Sequence, residues 1–171
     1  MLSNTEKSMS QGRVIPALLC VVATGCALLS LAREKGFGTW AREFRPIYGP
    51  FEAGLGRFVA LGKTDFIGKA AAAQEQAEGP KRQRVTFVVE ADDADAIGDE
   101  AVWKDGKVVG WITSGGYCHH VDCSYATGYV ASDALADSEN ARWQLEILGE
   151  MRDARLQHEP LLDPQGTRMT G

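Results

Sequence analysis

From Arg84 onward the apolar positions of this chain alternate with polar ones or gather into short β-branched runs. Arg84-Val85-Thr86-Phe87-Val88-Val89 reads as a strand. Ala101-Val102-Trp103 and Lys107-Val108-Val109-Gly110-Trp111-Ile112 flank Lys104-Asp105-Gly106. An Asp-Gly pair between apolar runs predicts a hairpin, because both central residues of a type I′ turn need positive φ. Tyr125–Val130, Trp143–Leu148 and Met151–Leu156 are further strands, with Gly149-Glu150 as the last turn. Short strands with a turn every few residues predict a small antiparallel barrel or sandwich. A barrel closes the sheet and leaves no edge open to another chain.

The first half has a different texture. Lys63-Thr64-Asp65-Phe66-Ile67-Gly68-Lys69 leads into Ala70-Ala71-Ala72-Ala73-Gln74-Glu75-Gln76, a run of strong helix formers. Thr64 or Asp65 is the expected cap, and Gly79-Pro80 the stop. Residues 36–64 mix Gly, Pro and aromatics, which predicts an ordered loop, with a short strand over Leu55–Leu61. Before it, Leu28, Leu31 and Ala32 recur at helical spacing and would share one buried face, ended by Gly36. The fold class expected is therefore α+β: an N-terminal helix and ordered loop, one short helix, then a small, mainly antiparallel β-barrel.

Residues 1–27 carry two readings. Lys7 and Arg13 precede the apolar run Val14–Ala23, and Ala23-Thr24-Gly25-Cys26 faintly resembles a lipoprotein cleavage box. Export or lipid anchoring is one reading. The other is a buried segment entering the fold, which periodicity cannot separate from the first.

Composition narrows the function classes. A formal charge of −5 disfavours nucleic acid and anionic lipid as partners, since both select clustered Lys and Arg. The four cysteines, Cys20, Cys26, Cys118 and Cys123, do not have the density of a disulfide scaffold. Cys118-His119-His120-Val121-Asp122-Cys123 carries thiol and imidazole ligand types, so Cys118, His119, His120 and Cys123 are the metal candidates. One short loop does not readily wrap a tetrahedral ion, and no metal is expected. His119 beside Cys123 would be a base beside a thiol, but no oxyanion device is readable nearby. Asp92, Asp93, Asp95 and Asp99 lack the spacing of a calcium loop and read as a solvated acidic stretch.

Several blocks together carry a resemblance. Leu31-Ala32-Arg33-Glu34-Lys35-Gly36-Phe37-Gly38-Thr39-Trp40, Pro50-Phe51-Glu52-Ala53-Gly54-Leu55-Gly56 and Asp65-Phe66-Ile67-Gly68-Lys69 are the first three. Val109-Gly110-Trp111-Ile112-Thr113-Ser114-Gly115-Gly116-Tyr117, with Gly128-Tyr129-Val130, follows, and Glu159-Pro160-Leu161-Leu162-Asp163-Pro164-Gln165-Gly166 closes the series. In this order, over about residues 28–171, they resemble the C-terminal region of the dimethylglycine and sarcosine dehydrogenases, related to glycine cleavage T-protein. The resemblance implies three parts: an ambiguous segment 1–27, the end of a folate-binding domain at 28–80, and a C-terminal barrel at 81–171.

The resemblance also implies an enzyme that oxidises an N-methyl amine with FAD and passes the one-carbon unit to tetrahydrofolate. No Gly-x-Gly-x-x-Gly fingerprint for FAD is present, and the family segment with the catalytic Asp is not among residues 28–171. The implied reading is a supporting part, not catalytic alone, completed by a partner carrying the FAD and folate domains; the alternatives are a non-catalytic partner-binding β-barrel module and an exported or lipid-anchored β-domain. Its implied compartment is the cytoplasm, or the mitochondrial matrix in a eukaryote. Glu34, Trp40, Glu52 and Arg57 are the folate-proximal candidates. A carboxylate can accept from a pterin edge, and an indole offers a flat surface. The alternatives are a Glu34 ion pair, a core Trp40, and a Glu52–Arg57 pair. The family usually has Ser-Leu-Arg-Leu-Glu-Lys where this chain has Ser30-Leu31-Ala32-Arg33-Glu34-Lys35, so Ala32 replaces an expected Arg.

Overall fold

A computed structural model describes residues 24–25 and 27–170. The apolar run Val14–Ala23, with both readings of it, lies outside the described residues. Among those described, no helix is long and apolar enough to cross a membrane.

Six strands form a closed antiparallel barrel: β1 (Arg82–Val89), β2 (Ala101–Lys104), β3 (Lys107–Cys118), β4 (Cys123–Ala131), β5 (Trp143–Ile147) and β6 (Glu150–Leu156). They close in the order β1-β4-β3-β2-β5-β6. The six strands expected from Arg84 onward are present, and the barrel rather than the sandwich is the architecture. Alternation decides which side chains fill it: Val85, Phe87 and Val89 from β1 meet Trp143, Leu145 and Ile147 from β5, with Ile112, Ala126 and Val130 between them. Phe87 and Trp143 pack with ring centroids 5.4 Å apart.

Asp105 and Gly106 have φ of 50° and 78°, as the type I′ reading requires. The last hairpin turn is shifted by one residue. Its left-handed pair is Leu148 and Gly149, with φ of 52° and 82°, rather than Gly149-Glu150. Gly128 of β4 lies so close to β3 that a Cβ there would sit 2.2 Å from the Trp111 carbonyl oxygen, so only glycine fits.

Ahead of the barrel lie α1 (27–34) and α2 (Lys69–Glu78). Gly36, at φ 69°, ends α1 with paired bonds: Gly36 N–H to the Arg33 carbonyl at 2.8 Å and Phe37 N–H to the Ala32 carbonyl at 2.9 Å. That is a Schellman stop. Helix α2 departs from expectation at its start. Its N-cap is Gly68, with no side-chain cap, while Asp65 instead accepts from the Phe66 N–H at 2.9 Å. Leu55–Leu61 is also not a strand: Gly56–Phe58 is a 3₁₀ turn.

The expected face of α1 is reversed. Leu28 and Leu31 are exposed, while Ser30 and Glu34 are buried against the barrel. The outer face of β3, β4 and β1 is covered by the segment between α1 and residue 53. After β6 the chain returns to clasp α1. Leu162 N–H donates to the Glu34 carbonyl at 3.0 Å, and Lys35 pairs with Asp163 at 3.1 Å. The closing helix α3 (Thr167–Thr170) is tied to Asp163 through the Thr167 hydroxyl at 3.0 Å.

Candidate functional site

The folate-proximal candidates Glu34, Trp40, Glu52 and Arg57 belong to the segment that leads into the barrel, and the metal candidates to the tip of the β3–β4 hairpin. Glu34 is fully buried. Its Oε1 accepts from the His120 backbone N–H at 2.8 Å and from the Ser30 hydroxyl at 3.4 Å. Ser30 in turn accepts from the His119 N–H at 3.0 Å. Two side chains one helical turn apart thus hold the tip of the β3–β4 hairpin, because Ser30 and Glu34 share a face at i, i+4. Glu34 Oε2 is buried without a hydrogen-bond partner among the described residues. Among the described residues neither a Lys nor an Arg pairs with this carboxylate.

Trp40 is 73% exposed, so it does not fill the core. Glu52 is nearly buried, but its partner is Arg82, at 3.2 Å, not Arg57. Arg57 instead lies over the Phe58 ring at 4.7 Å. Local geometry explains the exchange. Glu52 Oε2 accepts from Gly49 N–H at 3.2 Å, and its carbonyl accepts from Arg84 N–H at 2.9 Å, which fixes the residue against β1. No hydrogen bond or ion pair among the described residues joins any two of Glu34, Trp40, Glu52 and Arg57.

The metal candidates also separate. Cys118 and Cys123 face each other across the β3–β4 pair, and both are free thiols. His119 turns its edge to the Tyr117 ring at 5.2 Å, and His120 is exposed. No group of three or more His, Cys, Asp or Glu among the described residues is placed to hold an ion. Burial, aided by the nearby Cys123, pushes the Cys118 thiol up to about 12, so it stays protonated at neutral pH. The acidic stretch disperses likewise: Asp93 pairs with Arg152 at 2.8 Å, and Asp95 accepts from the Ser124 hydroxyl at 2.6 Å.

Sequence reasoning missed Glu43, the most heavily bonded carboxylate of the face. One oxygen accepts from Thr113 at 2.7 Å and Ser114 at 2.6 Å; the other accepts from the Thr39 N–H at 2.6 Å and its hydroxyl at 3.0 Å. Burial alone would raise its pKa. Hydrogen bonds led by those of Ser114 and the Thr39 N–H outweigh that and hold the carboxyl below its ordinary range. Its own carbonyl accepts from the Tyr129 hydroxyl at 2.6 Å, and Tyr129 stacks on Tyr48 with centroids 3.8 Å apart. Arg82 covers this stack, 5.9 Å from the Tyr48 ring and 5.5 Å from Trp111. The one cue available was a Glu among the loop aromatics, with Thr113-Ser114 far along the chain.

This combination of a six-strand barrel with a leading segment latched across β3, β4 and β1 has counterparts. Residues 82–163 match the glycine cleavage T-protein C-terminal barrel domain. The barrel is a glycine cleavage T-protein C-terminal barrel domain. Similarity extends ahead of the barrel. Mouse mitochondrial dimethylglycine dehydrogenase is 41% identical over 80% of this chain, and human mitochondrial sarcosine dehydrogenase is 29% identical over 97% of it. A solved structure, the glycine cleavage system aminomethyltransferase T of Bartonella henselae, superimposes with a TM-score of 0.68 at 25% identity, covering 79% of this chain and 38% of that one. The chain spans only 16% of the mouse relative and 20% of the human one. It is an aminomethyltransferase-like C-terminal region related to these dehydrogenases.

Proposed function

We propose that this chain is the supporting part of a folate-dependent one-carbon transfer assembly acting on N-methylated glycines. In this reading residues 28–80 close the folate-binding domain and residues 81–171 are the barrel that backs it. The tetrahydrofolate pocket, the flavin and the catalytic carboxylate come from polypeptide other than these 171 residues. The observation that carries the proposal is the alignment of leading segment and barrel together with dimethylglycine dehydrogenase, over 80% of the chain.

The geometry supports a division of labour. Glu34 is committed to the hairpin tip and Glu52 to Arg82, so their work is to hold the leading segment in place. Trp40 is the one folate candidate whose ring stands free for a ligand or partner. No chemical step is assigned to this chain. When bound in the assembly, the flavin would take the hydride and the folate would take the carbon. A mitochondrial compartment, as in the mouse relative's name, or the cytoplasm fits this role.

Calorimetry with tetrahydrofolate and a dimethylglycine turnover assay test the reading. The purified chain should show no heat at millimolar folate and no turnover. Combined with a dimethylglycine dehydrogenase lacking the matching region, it should restore tetrahydrofolate-dependent capture of the one-carbon unit. Turnover by the chain alone, or flavin absorbance in the purified protein, would refute it.

A further inference from the structure

The end of the barrel away from the β3–β4 tip is finished in polar side chains. The ladder between β1 and β6 joins only Phe87–Val89 to Ala154–Leu156. Just beyond it the Gln157 N–H still donates to the Thr86 carbonyl at 2.8 Å, and then the two chains part. Ser138, which heads the 3₁₀ turn Ser138–Asn140, borders the gap they leave.

Strand alternation sets what faces into this gap. Gln83 stands opposite Val130 of the core in the β1–β4 register, so its carboxamide shares the inward side of Val85 and Phe87. Leu156 packs against the core, and His158, two residues on, lines the gap. Two cavities meet here at Ser138, Leu156 and His158. The first, about 330 Å³, adds Gln83 and is the more polar. The second, about 270 Å³, adds Ala141, Trp143 and Ala154.

The polar groups are uncommitted. Among the described residues the side chains of Gln83, Ser138 and His158 have no hydrogen-bond partner, and their polar atoms are not sealed in the core. A barrel end that served only to close the core would favour apolar side chains there, because a polar group that is desolvated and unpaired costs free energy. The charge at the gap has one sign. Arg155 lines the second cavity, and its Nη1 donates to Gln157 Oε1, on the first, at 3.3 Å. No Asp or Glu among the described residues lines either cavity.

We propose that this end of the barrel binds a small amphipathic carboxylate. The Gln83 amide, the Ser138 hydroxyl and a His158 ring N–H are the donors for its carboxylate, and its apolar body lies along Ala141 and Trp143. Arg155 and the lack of an acidic wall select the anion over a neutral amide of the same shape. This site stands without the functional reading above.

The test titrates hexanoate, hexanamide and hexylamine separately into the isotope-labelled full chain and follows backbone and indole N–H resonances. Hexanoate should shift Gln83, Ser138, His158 and the Trp143 indole, saturating by about 10 mM, and should bind at least about 10-fold more tightly than hexanamide. His158→Ala, at an exposed position, and Gln83→Leu, beside the core, should each weaken hexanoate about 10-fold while near-ultraviolet dichroism shows the barrel intact. No saturable shift at these positions would overturn the proposal. So would hexanamide or hexylamine binding as tightly as hexanoate, or folded variants that bind it unchanged. Saturable shifts confined to α1 would put the carboxylate elsewhere and overturn it equally.

Discussion

Glu43 offers the sharpest check on how the leading segment is held. Replacing it with Ala removes the acceptor for the Thr39 N–H and for the hydroxyls of Thr39, Thr113 and Ser114. Thr113 has a second acceptor, the Thr127 carbonyl at 3.0 Å, and can turn to it. The Thr39 N–H and the Ser114 hydroxyl have no such alternative. A buried donor left unpaired costs about 1–3 kcal/mol. The Thr39 N–H and the Ser114 hydroxyl are only partly buried and water can reach them, which puts Glu43→Ala at about 1–2 kcal/mol. Glu43→Met keeps the volume but accepts nothing, so it should cost as much as Ala. Glu43→Gln keeps an acceptor for Thr39, and its amide can donate to Ser114, so only charge assistance is lost, about 1 kcal/mol.

The pH dependence has a definite sign. The folded carboxyl lies below its ordinary value of 4.5, because hydrogen bonds outweigh burial. Its contribution is complete above that value and is lost as pH falls through the folded pKa. Urea unfolding followed by tryptophan fluorescence, at neutral pH and on the acid limb, measures both effects. Wild type should lose stability below about pH 4.5, and Glu43→Gln should lose less over the same range. Ala and Met variants within about 0.5 kcal/mol of wild type would refute the reasoning, as would an acid limb unchanged in Gln.

Three further outcomes follow from individual residues. With burial holding the Cys118 thiol up at about 12, a thiol reagent at pH 8 should label half-buried Cys123 first and reach Cys118 only on unfolding. Peptide mapping by mass spectrometry shows the order, and equal labelling would contradict it. Leu148 sits at φ 52° and is exposed, so Leu148→Asn should stabilise by about 0.5–1 kcal/mol in urea melts, because Asn tolerates that conformation better. A loss of stability would count against the turn assignment. Glu34→Ala frees the His120 N–H, so hydrogen exchange there should accelerate about 10-fold or more while the β1–β4 amides stay protected. Unchanged protection at His120 would show that the tip does not depend on α1.

The barrel was legible because its signals are local. Alternation along β1, the Asp105-Gly106 turn and the β-branched runs each act within a few residues, and the closed sheet agrees with all of them. What went astray was set by tertiary partners. Leu55–Leu61 has strand-like residues, but no strand is free to pair with it, and it turns instead. Glu52 was matched to Arg57 by nearness in sequence, yet β1 brings Arg82 from thirty residues away. The apolar spacing of Leu28 and Leu31 was read as a buried face, because periodicity reports which residues share a side and not which side faces home. Glu43 was invisible for the same reason: its donors, Thr113 and Ser114, lie about seventy residues on.

That reversal of α1 joins the polar network to the apolar surface in one argument. The barrel's outer face over β3, β4 and β1 is rich in hydrogen-bonding groups, including the β3–β4 tip amides, Thr113, Ser114 and the Tyr129 hydroxyl. A segment that covers such a face must supply acceptors, because each buried donor left without one is costly. Ser30, Glu34 and Glu43 are those acceptors, and two of them are one turn apart on α1. With the inward side of that helix given to polar work, its leucines point away from the barrel. The polar stretch of the barrel's outer face thus takes the polar side of α1, while further along the same segment Tyr48 turns inward to stack on Tyr129. If the acceptors beneath fix the helix, making Leu28 and Leu31 polar should leave the barrel and its hairpin tip intact, whereas removing Ser30 and Glu34 together should expose the His119 and His120 amides to exchange.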